Sequence, residues 1–379
     1  MSTRVKRGLY TLIFILVVVG VGFLNQVSIM TWLASKGSIK FISTIAEPIL
    51  PTQQVDWASA EPGSGSNSEE LPNIIIILAD DLGWNDISFY GGGLGNGTVQ
   101  TPNIDRIAAE GVHFSNGYAG NATCAPSRAA LLTGRYPTRY GFEFTPAPAS
   151  LMSLVATFDS HREQLHPGYF LEENLSDFPP FEEQGVPTTE ILLPEILASK
   201  DYHSILLGKW HLGESEGYTP NDRGFDEFLG FLAGGAMFAE YDDPAMIKSI
   251  QEFDGIDQFL WPNLTFAVRY NKEQRFKPDE YMTDYLSHQA VRAIEANKDR
   301  PFFMYLSYNA PHTPLHAMKS DYDSLSMIES HTERVYGAMM LSLDRGIGKV
   351  IDAVEAAGIS DNTLIIFSSD NGGADYVGL

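Results

Sequence analysis

Four short apolar runs in this 379-residue chain end in residues able to do chemistry: Asp80-Asp81, Lys209 with His211, His312, and Asp370-Asn371. One such ending could be an ordinary solvated turn; four loaded in the same way are hard to explain as turns. Asp80, Asp81, Asp370 and Asn371 together would make an all-oxygen site, which suits a hard divalent cation, Ca²⁺ or Mg²⁺. It would serve zinc poorly, because zinc prefers nitrogen and sulfur. Lys209, His211, His312 and Arg128 would add a positive, hydrogen-bonding wall. A carboxylate-held cation facing a basic wall fits a tetrahedral oxyanion such as sulfate or phosphate. The only cysteine, Cys124, lies four residues before Arg128. Taken alone it reads as a small buried structural residue. Pro126 suits a first helical turn, Ala129 to Leu132 are helix formers, and Gly134 is a stop. Cys124 is therefore expected at a helix N-terminus, where free N–H groups and the dipole favour anions.

These residues need a scaffold that brings strand ends together. Asn73 to Ala79 is a continuous Ile-rich run, the pattern of a strand buried on both faces of a parallel sheet. His203 to Gly208, Phe302 to Tyr308 and Thr363 to Ser369 read as three more core strands. Helices are expected over Pro102 to Glu110, Thr188 to Lys200, Asp279 to Asn297 and Thr332 to Ala357, the last with a break near Gly346. Gly91 to Gly97 lacks the dinucleotide-fingerprint spacing and reads as a flexible loop. Pro146 to Pro187 reads as an irregular rim, and Pro220 to Phe231 as a turn with aromatic anchors. The expected class is α/β, with ligands bound at the carboxyl ends of the strands.

The formal charge of −23 argues against a broad surface for nucleic acid or anionic membrane. Arg4, Lys6 and Arg7 precede an uncharged apolar stretch, and no charge returns until Lys36. That is the pattern of an export signal, and it is long enough to span a bilayer. Residues 1–35 are thus expected as a signal peptide or N-terminal membrane anchor. Residues 36–71, with Pro48, Pro51, Pro62 and a Gly-Ser run, are expected as a flexible linker. The folded body is expected over 72–379, in a periplasmic, membrane-anchored outward-facing or secreted location.

The run Cys124-Ala-Pro-Ser-Arg128, continuing to Gly134-Arg135, resembles the signature of the type I sulfatases of the alkaline phosphatase superfamily. Pro72 to Asp81, Gly208-Lys-Trp-His-Leu-Gly213, Ala310-Pro-His-Thr-Pro314 and Ser369-Asp-Asn-Gly372 resemble that family's other motifs, in the expected order. The resemblance implies an alkaline-phosphatase-like, mostly parallel sheet between helical layers. It implies hydrolysis of sulfate esters, with a sulfated small molecule or carbohydrate as substrate. Asp80, Asp81, Asp370 and Asn371 would bind the metal, Ca²⁺ rather than Mg²⁺, with an oxygen of modified Cys124. Cys124 would be converted to formylglycine by a formylglycine-generating enzyme and hydrated to a gem-diol. One hydroxyl would attack sulfur, with Asp370 as base. Arg128 would hold the diol, and Lys209 and His312 the sulfate, with His312 near the leaving oxygen as acid. His211 would take the proton of the second hydroxyl, so that sulfate leaves by elimination.

The same resemblance implies chain beyond Leu379: a further lysine at the sulfate and a small C-terminal subdomain with a short antiparallel sheet. Two other readings share these residues: a phosphonate or phosphodiester hydrolase of the superfamily, and an inactive truncated binding remnant. His316, four residues past His312, reads as structural more than substrate-facing, as do His113 and His203. Arg135, Arg139 and Tyr140 are expected to support the cysteine stretch. Phe238, Tyr241 and Trp261 could shape a subsite.

Overall fold

A computed structural model describes residues 47–60, 71–160, 171 and 178–377. The expected signal or anchor at 1–35 lies outside the described residues, as does the Gly-Ser run within 61–70. No helix among the described residues is long and apolar enough to cross a membrane.

The strands and the helices of six residues or more are, in chain order, β1 (Asn73–Ala79), α1 (Pro102–Glu110), α2 (Cys124–Thr133), α3 (Ala149–Ser160), α4 (Leu193–Ala198), β2 (His203–Lys209), β3 (Glu227–Phe231) and β4 (Met246–Ser249). They continue as α5 (Gly255–Asn263), β5 (Arg269–Tyr270), α6 (Met282–Asn297), β6 (Phe302–Ser307), β7 (Leu315–Met318), α7 (Lys319–Ser324), α8 (His331–Ala356) and β8 (Thr363–Ser369). Six strands form one sheet in the order β5-β3-β2-β6-β1-β8, parallel except for β5. Strands β4 and β7 pair separately and antiparallel.

The Ile-rich run becomes a central strand because both of its faces find apolar cover. Ile75 and Ile77 face a core built with α6 and α8. Ile76 and Leu78 face a second core with Ala125, Ala129 and Leu132 of α2. Burying each such side chain is worth about 2 kcal/mol. Strand β8 differs: Leu364 and Ile366 are 51% and 40% exposed, while Ile365 and Phe367 pack inward.

Several expectations need correction. Residues 47–60, expected as flexible linker, pack on the body. Val55 and Trp57 are buried, Leu50 bridges to Phe276, and the Trp57 Nε1–H donates to Gln289 Oε1 at 3.1 Å. Two apolar side chains were signal enough to anchor a stretch that its prolines made look loose. Within the expected irregular rim, residues 149–160 are helical. The helix expected over Thr188 to Lys200 shrinks to Leu193–Ala198, started by Pro194 in its first turn. The expected break near Gly346 is absent, because Gly346 packs against Ser287 and Tyr308, where a Cβ would collide. The segment read as a turn contains β3, which pairs along β2 from Ile205 to Lys209.

Candidate functional site

The sheet order sets β2, β6, β1 and β8 side by side, so the four chemically loaded strand ends lie in one row. Backbone pairing continues past the strands: the Asp80 N–H donates to Ala310 O at 3.1 Å and the Asp370 N–H to Ala79 O at 3.2 Å. Asp81 turns away in a left-handed conformation, φ 58°. That conformation costs a non-glycine residue about 1 kcal/mol. The Tyr336 hydroxyl donates its one proton to Asp86 Oδ2 at 2.8 Å, with Asp81 O the alternative acceptor at 3.1 Å.

Helix α2 begins at Cys124 and ends at Gly134, whose left-handed conformation lets its N–H reach Ala130 O at 2.9 Å. The helix aims Cys124 at Asp81, with Sγ 4.0 Å from Oδ1. Arg128, one turn on, is wholly buried. Its Nη2 lies 3.0 Å from Asp80 Oδ1 and 2.8 Å from Asp370 Oδ2, and its Nε–H donates to Asp370 Oδ2 at 2.9 Å. Ser307 accepts from the Arg128 Nη1 and itself donates to Lys209 O. The Ser127 hydroxyl donates to Asp370 O.

Lys209, at the end of β2, is also wholly buried and donates to both Asp80 oxygens, at 2.9 and 2.7 Å. Lys209 and Arg128 therefore meet carboxylates rather than an open wall. Asn371 Nδ2 donates to Asp81 Oδ1 at 2.6 Å, and the Asp81 N–H to Asp370 Oδ1 at 3.2 Å. His312 faces the same carboxylates, with Nε2 3.4 Å from Asp81 Oδ2. His211, φ 62°, packs its ring against Gly234, where a Cβ would sit 2.6 Å from Nε2.

Burial alone would raise the Asp80 carboxyl, but the charges of Lys209, Arg128 and His312 hold it below its ordinary value. Asp370 goes the other way: burial and the Asp80 charge outweigh Arg128 and push it up. Burial would lower Lys209, and Asp80 overrides that and raises it. The two imidazoles diverge. Burial opposes charge on His312, yet Asp80 and Asp81 overcome it and push its pKa up to about 10. His211 is lowered well below its usual value by burial and by the positive charges of Lys209, Arg128 and His312. The surroundings thus push the two imidazoles in opposite directions, the divergence that separate acid and base roles call for.

Asp80, Asp81, Cys124 and His312 offer potential ligand atoms that all lie within 4.8 Å of one another. Asn371 Oδ1 is buried with no hydrogen-bond partner among the described residues. That orphaned oxygen, on a side chain whose Nδ2 meets Asp81, fits a hard cation, whereas Asp370, expected as a ligand, pairs with Arg128 and lies outside the group of four, where His312 stands instead.

The structure thus brings together Asp80, Asp81, Cys124, Arg128, Lys209, His312, Asp370 and Asn371, with His211 among the same charges. Other expectations fare differently. His316 is fully buried against the edge of Trp261. Phe238 and Trp261 belong to the core, and only Tyr241 of that trio is exposed. Arg135 pairs with Glu190, and Tyr140 meets Thr133 at 3.2 Å, so both brace α2. Asp86, Ser307, Asn309 and Tyr336 escaped the reading of the sequence. Asn309 had a signal, since it sits at a strand end and precedes the Ala310-Pro311-His312 motif; its Oδ1 is buried without a partner among the described residues.

Fold and site together define an alkaline-phosphatase-like α/β protein with an acidic, cysteine-containing centre at its strand ends. The family model for sulfatases matches residues 72–377, and the chain belongs to the sulfatase family. It is 33% identical to the N-acetylgalactosamine-6-sulfatase of Homo sapiens over 313 residues, 82% of this chain and 51% of that relative. It is 30% identical to an arylsulfatase of Hemicentrotus pulcherrimus over 307 residues, 79% of this chain and 47% of the other. The crystal structure of Ps i-CgsB matches with a TM-score of 0.63 at 34% identity, covering 82% of this chain and 60% of that one. The same protein in complex with k-i-k-neocarrahexaose matches with a TM-score of 0.63 at 35% identity, with the same coverage. The chain spans about half the length of the curated relatives it matches.

Proposed function

We propose that this protein hydrolyses sulfate esters of carbohydrates, with the catalytic unit starting at residue 72 and working outside the cytoplasm. The observation that carries the reading is the position of Cys124: at the head of α2, within the sulfatase signature, and against Asp81. The carbohydrate part is supported by the two kinds of relative just described, an N-acetylgalactosamine-6-sulfatase and a protein solved with a neocarrahexaose. The export reading is supported by the basic and apolar N-terminal stretch alone.

Asp80, Asp81, Asp370, Asn371 and the modified Cys124 side chain would hold a divalent cation, Ca²⁺ in our reading. When bound, such an ion draws charge from the sulfate oxygens and favours an ionised hydroxyl beside it. Oxidation of Cys124 to formylglycine replaces sulfur with oxygen, and its hydrate provides both a nucleophilic hydroxyl and an elimination route for sulfate. Arg128 fixes the orientation of Asp370 and of the hydroxyl-bearing residue at 124. Lys209 supplies fixed positive charge behind Asp80, where negative charge would gather on the substrate. His312 donates a proton toward the leaving alcohol oxygen, and His211 accepts the proton of the second hydroxyl.

The test is to measure the mass of the Cys124 peptide and turnover in the same preparation, made in a host with the maturation enzyme. Conversion lowers the peptide mass by about 18 Da. Hydrolysis of sulfated oligosaccharides should track the converted fraction. Turnover by protein with unmodified cysteine would sink the mechanism, and faster cleavage of an aryl phosphodiester would move the substrate class.

A further inference from the structure

Helix α5 lies outside every motif of the site, yet one of its residues reaches the loop that carries His312. Asp257 is fully buried. A buried carboxylate costs several kcal/mol unless its lone pairs are used. Here three donors use them. The Gln251 N–H donates to Oδ2 at 2.6 Å and the Trp261 Nε1–H to the same oxygen at 3.1 Å. The Thr313 hydroxyl donates to Oδ1, across 56 residues of sequence. The first two contacts are local and fix the carboxylate; the third ties it to the segment after β6.

Thr313 faces both ways. Its hydroxyl meets Asp257, and its carbonyl accepts from His312 Nδ1 at 2.5 Å. That bond commits Nδ1 to carrying a proton and turns Nε2 toward Asp81, 3.4 Å away. An imidazole in a reactive site is commonly set by what its second nitrogen meets. Phe259 and Leu260 of α5 pack with Leu151 and Val155 of α3, so the anchor of the carboxylate is itself packed.

We propose that Asp257 is a positioning residue for the His312 imidazole, acting through Thr313. The catalytic consequence rests on the hydrolase reading above; the contact itself does not. Asp257 never touches the reacting atoms. It holds the Thr313 peptide at the angle from which its carbonyl fixes the ring, and a ring displaced by an ångström loses much of its rate contribution.

The experiment compares Thr313→Val, Thr313→Ser and Asp257→Asn in the full-length, matured protein. Thr313→Val should lower kcat on a sulfate ester about 10- to 100-fold with KM within about twofold, the signature of a contact that matters in the transition state. Thr313→Ser keeps the hydroxyl and should return kcat to within about threefold of wild type. A second measurement needs no turnover: one-bond ¹H–¹⁵N correlations of imidazole-labelled protein, with the His312 signal assigned by its loss in His312→Gln. Wild type and Thr313→Ser should show a protected His312 Nδ1–H, which Thr313→Val and Asp257→Asn should lose or shift. Wild-type signals and wild-type kcat in both Thr313→Val and Asp257→Asn would overturn the proposal. Signals lost in the variants, with no ester turned over even by the folded, matured wild type, would uphold the positioning and sink the hydrolase reading instead.

Discussion

Strand β2 carries a polar cluster at each end, and the two differ in what they leave over. At the amino end, His203 Nε2 meets Glu227 Oε2 at 2.7 Å. Tyr270 OH and the Ala58 N–H donate to Glu227 Oε1 at 2.5 and 2.9 Å. Both carboxylate oxygens are engaged, and the cluster sews residues 47–60 onto the body. At the carboxyl end, Asp80 takes Lys209 and Arg128, and Asp370 takes Arg128 again. Yet His211 Nδ1, Asn309 Oδ1 and Asn371 Oδ1 are buried with no hydrogen-bond partner among the described residues. Leaving a buried polar atom unpaired costs about 1–3 kcal/mol. Ser204 Oγ at the amino end is unpartnered too, so the contrast lies in where such atoms sit: at the carboxyl end three of them lie at the strand ends that carry the converging charges, as a site built to receive something would have.

The largest effect should come at the open cluster. Cys124 touches the site through one thiol and contributes little packing, since it is only partly buried. Cys124→Ala should therefore lower turnover of a sulfate ester by at least about 1,000-fold while leaving the urea midpoint unchanged. Residual activity near wild type would mean that the open cluster works without its nucleophile, and the comparison would lose its functional half.

Asp80→Asn tests the cost side. The change keeps the volume and removes the charge that compensates Lys209 and Arg128. Breaking a buried pair from one side costs about 3–5 kcal/mol, so urea unfolding should show a loss of that order together with loss of bound cation. An unchanged unfolding midpoint would show that the buried cations had found other partners.

Much of this site was legible because its residues sit next to strong signals. Ile-rich runs mark central strands, and whatever follows such a run must emerge at the carboxyl edge of the sheet. Asp80, Lys209, His312 and Asp370 were readable for that reason, and Cys124 because proline, alanine and glycine bracket its helix. What stayed hidden depends on partners far away in sequence. Asp257 looks like any acid near a helix start until Thr313 arrives 56 residues later. Tyr336 lies inside α8 and meets Asp81 across 255 residues. Ser307 reads as the last residue of a strand, and only the fold sets Arg128 beside it. The buried pairing of Lys209 was hidden too, because spacing says which strand end a lysine occupies but not which carboxylate it reaches. Strand β3 was masked by the proline and glycine of the turn before it.

His316 sharpens the rule that unpartnered atoms mark a receiving site. Both of its ring nitrogens lack hydrogen-bond partners among the described residues, yet it sits in the core beside Trp261, away from the converging charges. Burial, with Lys248 nearby, lowers its pKa to about 4. Its native value lies below the unfolded value of about 6.5, so the unfolded chain binds the extra proton first. Stability is then full above about pH 6.5 and declines as pH falls toward 4, by about 3 kcal/mol at most. His316→Phe should remove that part of the acid sensitivity, read as urea midpoints at pH 7 and pH 4.5. An unchanged pH slope would mean that the ring is already paired, and His316 would move from the exceptions to the closed clusters.

The smallest expected effect belongs to the closed cluster, and it carries the contrast. Glu227→Gln keeps an acceptor for Tyr270 or Ala58 but gives up the charge that His203 and both donors share. Burial pushes the Glu227 carboxyl up, while hydrogen bonds from His203, Tyr270 and Ala58 pull it below its ordinary value. A depressed carboxylate stabilises the fold above the unfolded pKa and loses that contribution as pH falls through the native one. The variant should therefore be about 1–2 kcal/mol less stable than wild type at pH 7 and converge with it in acid. Turnover should not change, because this joint lies at the far end of β2 from Cys124. A joint whose loss altered kcat would mean that the two ends of the strand are coupled, and that closure of a polar cluster does not by itself separate support from chemistry.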